Sequence, residues 1–297
     1  MQAKTGGAMQ MTLAMVISGT VGWPVVALRL PAVTVVFWRC AFGALAMLLV
    51  CALLGQLKRG ALSRRQWGIA ALGGAALVLN WTLLFAAYSQ ASIAVATVTY
   101  HVQPFMLVGL GALFFGERLT ANRLGWLLLA FGGVILIVTG HSGGDPGANY
   151  LLGVLMALGA ALMYAIAAAI VKQLKTLPPQ LLVLIQLSVG AVLLAPFAGF
   201  HTPAAPRDWL LLATLGLVHT GLMSTLLYSA IQKIPTSLVG ALSFIYPAVA
   251  IVVDWAAFGH RLSLLQMLGT AAVLCAAAGM NFGWRLWRTA PQADNLG

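Results

Sequence analysis

Apolar residues fall into ten long blocks along this chain, separated by short stretches where prolines, glycines and basic residues collect. A helix needs about 20 consecutive apolar residues to cross a bilayer. On that measure the blocks predict spans at 8–28, 33–54, 66–88, 92–116, 120–140, 150–174, 179–200, 208–232, 236–258 and 262–284. Pro31 closes the first hairpin, and Lys58-Arg59-Gly60 with Arg64-Arg65 separates the second and third blocks. Gly143-Gly144-Asp145-Pro146-Gly147 links the halves, Pro178-Pro179 opens the seventh block, and Pro203 and Pro206 precede the eighth. Because Lys4 precedes it, the first block has the outline of a secretion signal. It is read as a span because its removal would break the symmetry described next.

Residues 82–124 return about 143 positions later. Phe85 falls over Tyr228, Pro104 over Pro247, Phe115-Gly116 over Phe258-Gly259 and Arg118-Leu119 over Arg261-Leu262. The duplication divides the chain into 1–142 and 148–297, each predicted to hold five spans. Five is odd, so the second copy would enter the membrane from the opposite side. Inverted repeats with interrupted helices point to a secondary transporter whose site lies near the midplane.

Composition strengthens this picture. Hydrophobic residues make up 61% of the chain, charged residues 7%, and the mean hydropathy is +0.97, which leaves too little polar surface to cover a water-soluble globule. The net charge of +11 sits in short loops beside apolar runs, so the basic face required for nucleic acid is missing. Cys40, Cys51 and Cys275 fall inside apolar blocks with neither disulfide nor metal spacing. With the N-terminus in the cytoplasm, that side holds Lys4, Lys58, Arg59, Arg64, Arg65, Arg118, Arg123, Lys172, Lys175, Lys233, Arg285 and Arg288. The other side holds only Arg29, Arg207 and Arg261, so both termini are predicted to be cytoplasmic.

Pro104 and Pro247 lie near the middle of the fourth and ninth blocks. Each removes one helical hydrogen bond and frees the carbonyl four residues earlier, at Tyr100 and Ser243. Such carbonyls are tolerated at this depth where protein groups or a watery cavity satisfy them; a kink that only shapes packing is the plainer alternative, and two kinks at matching positions of the repeats favour the cavity. Within about two turns of the midplane lie Trp23, Asn80, Trp81, Thr97, Tyr100, His101, Tyr164, Gln186, His219, Ser224, Tyr228, Ser243 and Tyr246. Trp23 and Trp81 are equally readable as packing residues, His101 as a ring bonded to a carbonyl, and Asn80 and Gln186 as interhelical bonds. As a set they describe a pocket for a mostly neutral substrate with an aromatic or aliphatic body. Trp23, Trp81, Tyr100, His101, Tyr164 and Tyr246 would supply rings, while Asn80, Ser224 and Ser243 would hold polar ends.

Well inside the spans, away from their ends, charge is limited to Arg39 and Asp254, at similar predicted depth. Their pairing as a structural or outer-gate ion pair is expected, with proton coupling at Asp254 as the alternative. Glu117 and Arg118 read as an interfacial cap. No phosphate-binding loop, zinc site or catalytic triad is visible, so neither an enzyme nor a resident cofactor or metal is expected.

The stretch LPAVTVVFWRCAFG around Arg39, and the repeated unit of a midspan proline followed by Gly116-Glu117-Arg118-Leu119, resemble the EamA-type branch of the drug/metabolite transporter superfamily. The second copy keeps Pro247, Gly259 and Arg261-Leu262 but carries His260 where Glu117 stands. Within that branch the pattern is most similar to bacterial exporters of aromatic amino acids. The resemblance implies a bacterial inner-membrane protein that exports phenylalanine, tryptophan, tyrosine and related metabolites through a central pocket. Its expected partners are a small-molecule substrate and lipid, and it is expected to act as a monomer. A proton-coupled multidrug or nucleobase exporter of the same superfamily is the competing expectation.

Overall fold

The computed structural model describes residues 2–57, 62–106, 109–110, 120–140, 148–174, 177–198, 205–231, 233–234, 238 and 242–286. Regular structure among them is helical throughout. We label the α-helices in chain order: α1 Gln2–Thr20, α2 Gly22–Ala27, α3 Ala32–Leu53, α4 Arg64–Ala91, α5 Ile93–Tyr100 and α6 Ala121–Thr139. Then follow α7 Ala148–Val171, α8 Pro179–Ala198, α9 Pro206–Gly216, α10 Met223–Ile231, α11 Ile245–Phe258 and α12 Leu264–Phe282, with a π-turn, Leu217–Leu222, joining α9 to α10. Eight stretches are long and apolar enough to cross a membrane, and α11 is a shorter apolar helix. Among the predicted blocks, the lower part of the fourth, with Glu117 and Arg118, and the 143–147 linker lie outside the described residues.

Four of the predicted spans are interrupted. Pro24 cannot donate to Thr20, and the first span accordingly breaks at Val21 between α1 and α2. The fourth block is helical from Ile93 and turns at 101–102, and the ninth breaks at Phe244. The eighth widens into the π-turn. By contrast α4 runs 28 residues without a break, opened by a capping box in which Ser63 and Gln66 satisfy each other's backbone N–H groups.

Corresponding helices of the two halves pack against each other in opposite directions. Along α6 and α12, Trp126 meets Gly279, Gly133 meets Gly269, and Gly140 meets Leu265 and Gln266. A Cβ on Gly133 would stand 2.7 Å from the Gly269 carbonyl, so only glycine permits this approach. Lipid tails are as apolar as leucine, so close backbone packing of this kind holds membrane helices together. The seam is pinned further where the Tyr150 hydroxyl donates to the Ile137 carbonyl (3.0 Å) and receives the Gln266 amide (3.2 Å).

The α3–α8 pair behaves likewise: Cys40 lies by Gly190, Gly43 by Leu187, and Gln56 donates to Gln180 at 3.4 Å. Between α5 and α11, Ala94 meets Asp254 while His101 meets Phe244 and Tyr246. Cross-contacts also exchange between the halves, with α4 on α7 and α1 on α10. Leucines such as Leu45, Leu49 and Leu53 point outward and are largely exposed, as a lipid-facing surface requires.

Candidate functional site

The two proline breaks meet. Pro104 leaves the Tyr100 carbonyl without its usual donor, and the ladder resumes only where Phe105 donates to Val102 at 2.9 Å. Pro247 likewise has no N–H to offer the turn before it, and α11 begins anew at Ile245. His101 and Phe244 stand 143 positions apart in the duplicated pattern, and each is the residue at its break. Their ring centroids are 6.3 Å apart, and the His101 ring also lies 5.3 Å from Tyr246. The His101 Nδ1 bonds the Thr97 carbonyl (3.1 Å), so the histidine is both a local carbonyl partner and a wall of the cluster.

Around this contact the rings continue. Tyr100 packs edge-on against Tyr164 at 6.0 Å. Tyr164 keeps 40% of its surface exposed, whereas Tyr100 is buried. The Arg39 guanidinium lies 4.1 Å over the Trp81 ring and 5.3 Å over Phe85, within electrostatic reach of the Tyr88, Tyr100 and Tyr246 hydroxyls. A cation over an indole face gains about 0.5–2 kcal/mol, more as water is removed.

Arg39 and Asp254 do not form the expected ion pair. Arg39 is turned toward the π-turn, where Nε donates to the Thr220 hydroxyl (2.9 Å) and Nη2 to the His219 carbonyl (3.4 Å). The wider turn makes this possible, because Thr220 donates back to Leu215, five residues earlier, at 3.0 Å. His219 Nε2 meets the Thr20 hydroxyl at 3.0 Å, which ties the break in the first span to the same cluster. Asp254 is 1% exposed and is held elsewhere: Oδ1 lies 2.9 Å from His260 Nδ1 and Oδ2 accepts the Ala94 N–H at 3.0 Å. It therefore caps α5, alongside Ser92, whose side chain accepts from Val95 while its own backbone is held at φ 93°. His260, at the position of Glu117 in the first copy, supplies the partner for this carboxylate.

The other anticipated residues divide. Asn80 is fully buried and donates to the Ala160 carbonyl at 2.6 Å, so it does bridge helices, yet its Oδ1 has no partner. Ser224 is buried on α10 just past the π-turn, and Ser243 directly precedes the break at Phe244. Trp23 is 42% exposed and joins none of the ring contacts among the described residues. Thr220, Phe85, Tyr88 and Phe244 belong to the cluster without having been singled out. Trp81, Phe85 and Tyr88 follow a spacing of four and three on one helix face, a signal that could have found them.

Matches to known proteins agree with this architecture. The family model described as the EamA-like transporter family matches residues 5–139 and again 151–282. The chain belongs to the EamA-like transporter family. It is a multi-pass membrane protein and a transporter by that membership. This EamA-like transporter is 29% identical over 278 residues to the uncharacterized transporter YxxF of Bacillus subtilis, covering 93% of this chain and 89% of the relative. It is 30% identical over 192 residues to the pseudopaline exporter CntI of Pseudomonas aeruginosa, covering 64% of this chain and 65% of that protein. A solved crystal structure aligns with a TM-score of 0.64 at 19% identity over 92% of this chain and 96% of that one, a likeness of fold.

Proposed function

We propose that this EamA-like transporter exports aromatic amino acids and related small aromatic metabolites across the bacterial inner membrane by alternating access. The observation that carries the reading is the meeting of two interrupted helices at His101 and Phe244, inside a cluster of rings that also holds Arg39. In this reading the halves, 1–142 and 148–297, are inverted five-span repeats, ten spans in all, with both termini cytoplasmic. The opposed packing of α6 on α12, α3 on α8 and α5 on α11 supports it. The exposed Tyr164 ring and the buried Tyr100, His101 and Tyr246 rings form the wall that meets the substrate body. Pro104 and Pro247 let half-helices tilt as the repeats rock. Export as the direction is supported by the name of one relative.

Downhill exchange is favoured over proton antiport. The one buried carboxylate among the described residues, Asp254, is engaged by His260 and the Ala94 N–H rather than by the ring cluster. The test is counterflow of labelled tryptophan in liposomes holding the purified protein as a monomer, with and without an imposed pH gradient. Saturable exchange that is indifferent to the gradient is expected. Accumulation driven by the gradient would replace this mechanism with proton coupling, and exchange of nucleobases or cationic drugs in preference to tryptophan would replace the substrate.

A further inference from the structure

Among the described residues Arg39 is a cation without an anion. It is 4% exposed, it sits eight residues into a 22-residue membrane helix, and no carboxylate pairs with it among the described residues. Charged side chains at such depth are costly and tend to be found where they have a task. A guanidinium offers five N–H donors in a fixed plane. Only Nε and one hydrogen of Nη2 are engaged, by Thr220 and the His219 carbonyl, so both Nη1 hydrogens and one on Nη2 remain. One hydrogen from each Nη makes up the end-on edge of the fork, the arrangement that receives two oxygens of a planar carboxylate.

The surroundings fit the rest of such a ligand. The guanidinium plane is backed by Trp81 and Phe85, which hold its direction while leaving the charge uncompensated. Three buried oxygens make no hydrogen bond of ordinary length, Asn80 Oδ1, Tyr88 OH and Thr97 Oγ1, although Tyr88 and Thr97 lie near the Tyr246 hydroxyl and Asn80 near that of Tyr100. All three belong to residues less than a tenth exposed, and all three can accept a hydrogen bond from an ammonium group.

We infer that Arg39 is the carboxylate anchor of the transport site, so that the cargo is an organic acid or zwitterion with a flat apolar body, and amines lacking the carboxylate are rejected. The inference rests on reading the ring cluster as the transport site. An organic anion on Arg39 would complete the missing ion pair during passage, and the emptied site would fall back on Trp81 and the His219 carbonyl.

The experiment compares tryptophan, tryptamine and leucine as labelled ligands of the full-length protein in lipid nanodiscs. The variants are Arg39→Gln and Arg39→Lys, each first checked for monodispersity. In the natural protein tryptophan should bind at least about tenfold more tightly than tryptamine, since one bidentate pair is lost. Arg39→Gln should remove that preference, and Arg39→Lys should restore part of it. A merely structural arginine would change all affinities together and leave the ratio intact. Equal binding of tryptophan and tryptamine, or a preference that survives Arg39→Gln, overturns the anchor while leaving the aromatic site standing. Leucine bound as tightly as tryptophan, with tryptamine rejected, overturns the aromatic reading and keeps the anchor. If Arg39→Gln does not fold, the ratio in the natural protein and in Arg39→Lys decides. No binding by any of the three overturns both.

Discussion

The third and eighth apolar segments descend from the same duplicated unit, yet they serve the cluster in opposite ways. The third, α4, is an unbroken helix of 28 residues that presents rings, Trp81, Phe85 and Tyr88, on one face. Its counterpart is interrupted by the π-turn at Leu217–Leu222 and presents a hydroxyl and a carbonyl, from Thr220 and His219. Arg39 lies between them, backed by the first and bonded by the second. Duplication supplied two equivalent walls, and their divergence made one a surface for stacking and the other a surface for hydrogen bonding. The fourth and ninth segments diverged less, for both still break at equivalent residues beside a proline.

The largest effect should come from the hydrogen-bonding wall. Thr220→Val keeps the shape but leaves a buried guanidinium N–H without its acceptor, which costs about 2 kcal/mol. A lowered thermal midpoint and at least about a tenfold fall in counterflow are expected, and an unchanged melt would deny Thr220 its part in holding Arg39. Next come the equivalent breaks. Pro104→Ala or Pro247→Ala restores a backbone N–H and removes the proline ring from the break, so each should raise thermal stability while slowing exchange several-fold. Faster exchange in either would mean that the breaks are packing devices only. Trp81→Leu removes the indole face under Arg39, worth about 0.5–2 kcal/mol, and should raise the KM for tryptophan a few-fold with less change in maximal rate. Smallest of all, His101→Phe makes the two breaks alike. Ring packing on Tyr246 and Phe244 persists and one bond to the Thr97 carbonyl is lost, so transport should stay within about twofold.

Much of this organisation is legible in the sequence because it follows from rules that act along the chain. Apolar block length locates the helices, and proline chemistry locates the breaks near residues 101 and 244. The same rule applied to Pro24 would have located the break at Val21. What escaped is geometry set between helices. The π-turn has no composition signal; it is made by a shift from four-residue to five-residue bonding beside α3, where Gly43 and Gly216 allow a close approach. Once Thr220 and the His219 carbonyl are turned toward α3, Arg39 takes them as partners. Asp254 meanwhile serves α5 and His260, so similar depth along the chain did not translate into contact.

Ser92 is a non-glycine residue held at φ 93°, between α4 and an α5 whose first amides rest on Asp254 and on Ser92 itself. A backbone held there stores on the order of 1–3 kcal/mol. The corner is therefore held by two side chains, the Asp254 carboxylate and the Ser92 hydroxyl, which accept the first amides of α5 in place of a preceding helical turn.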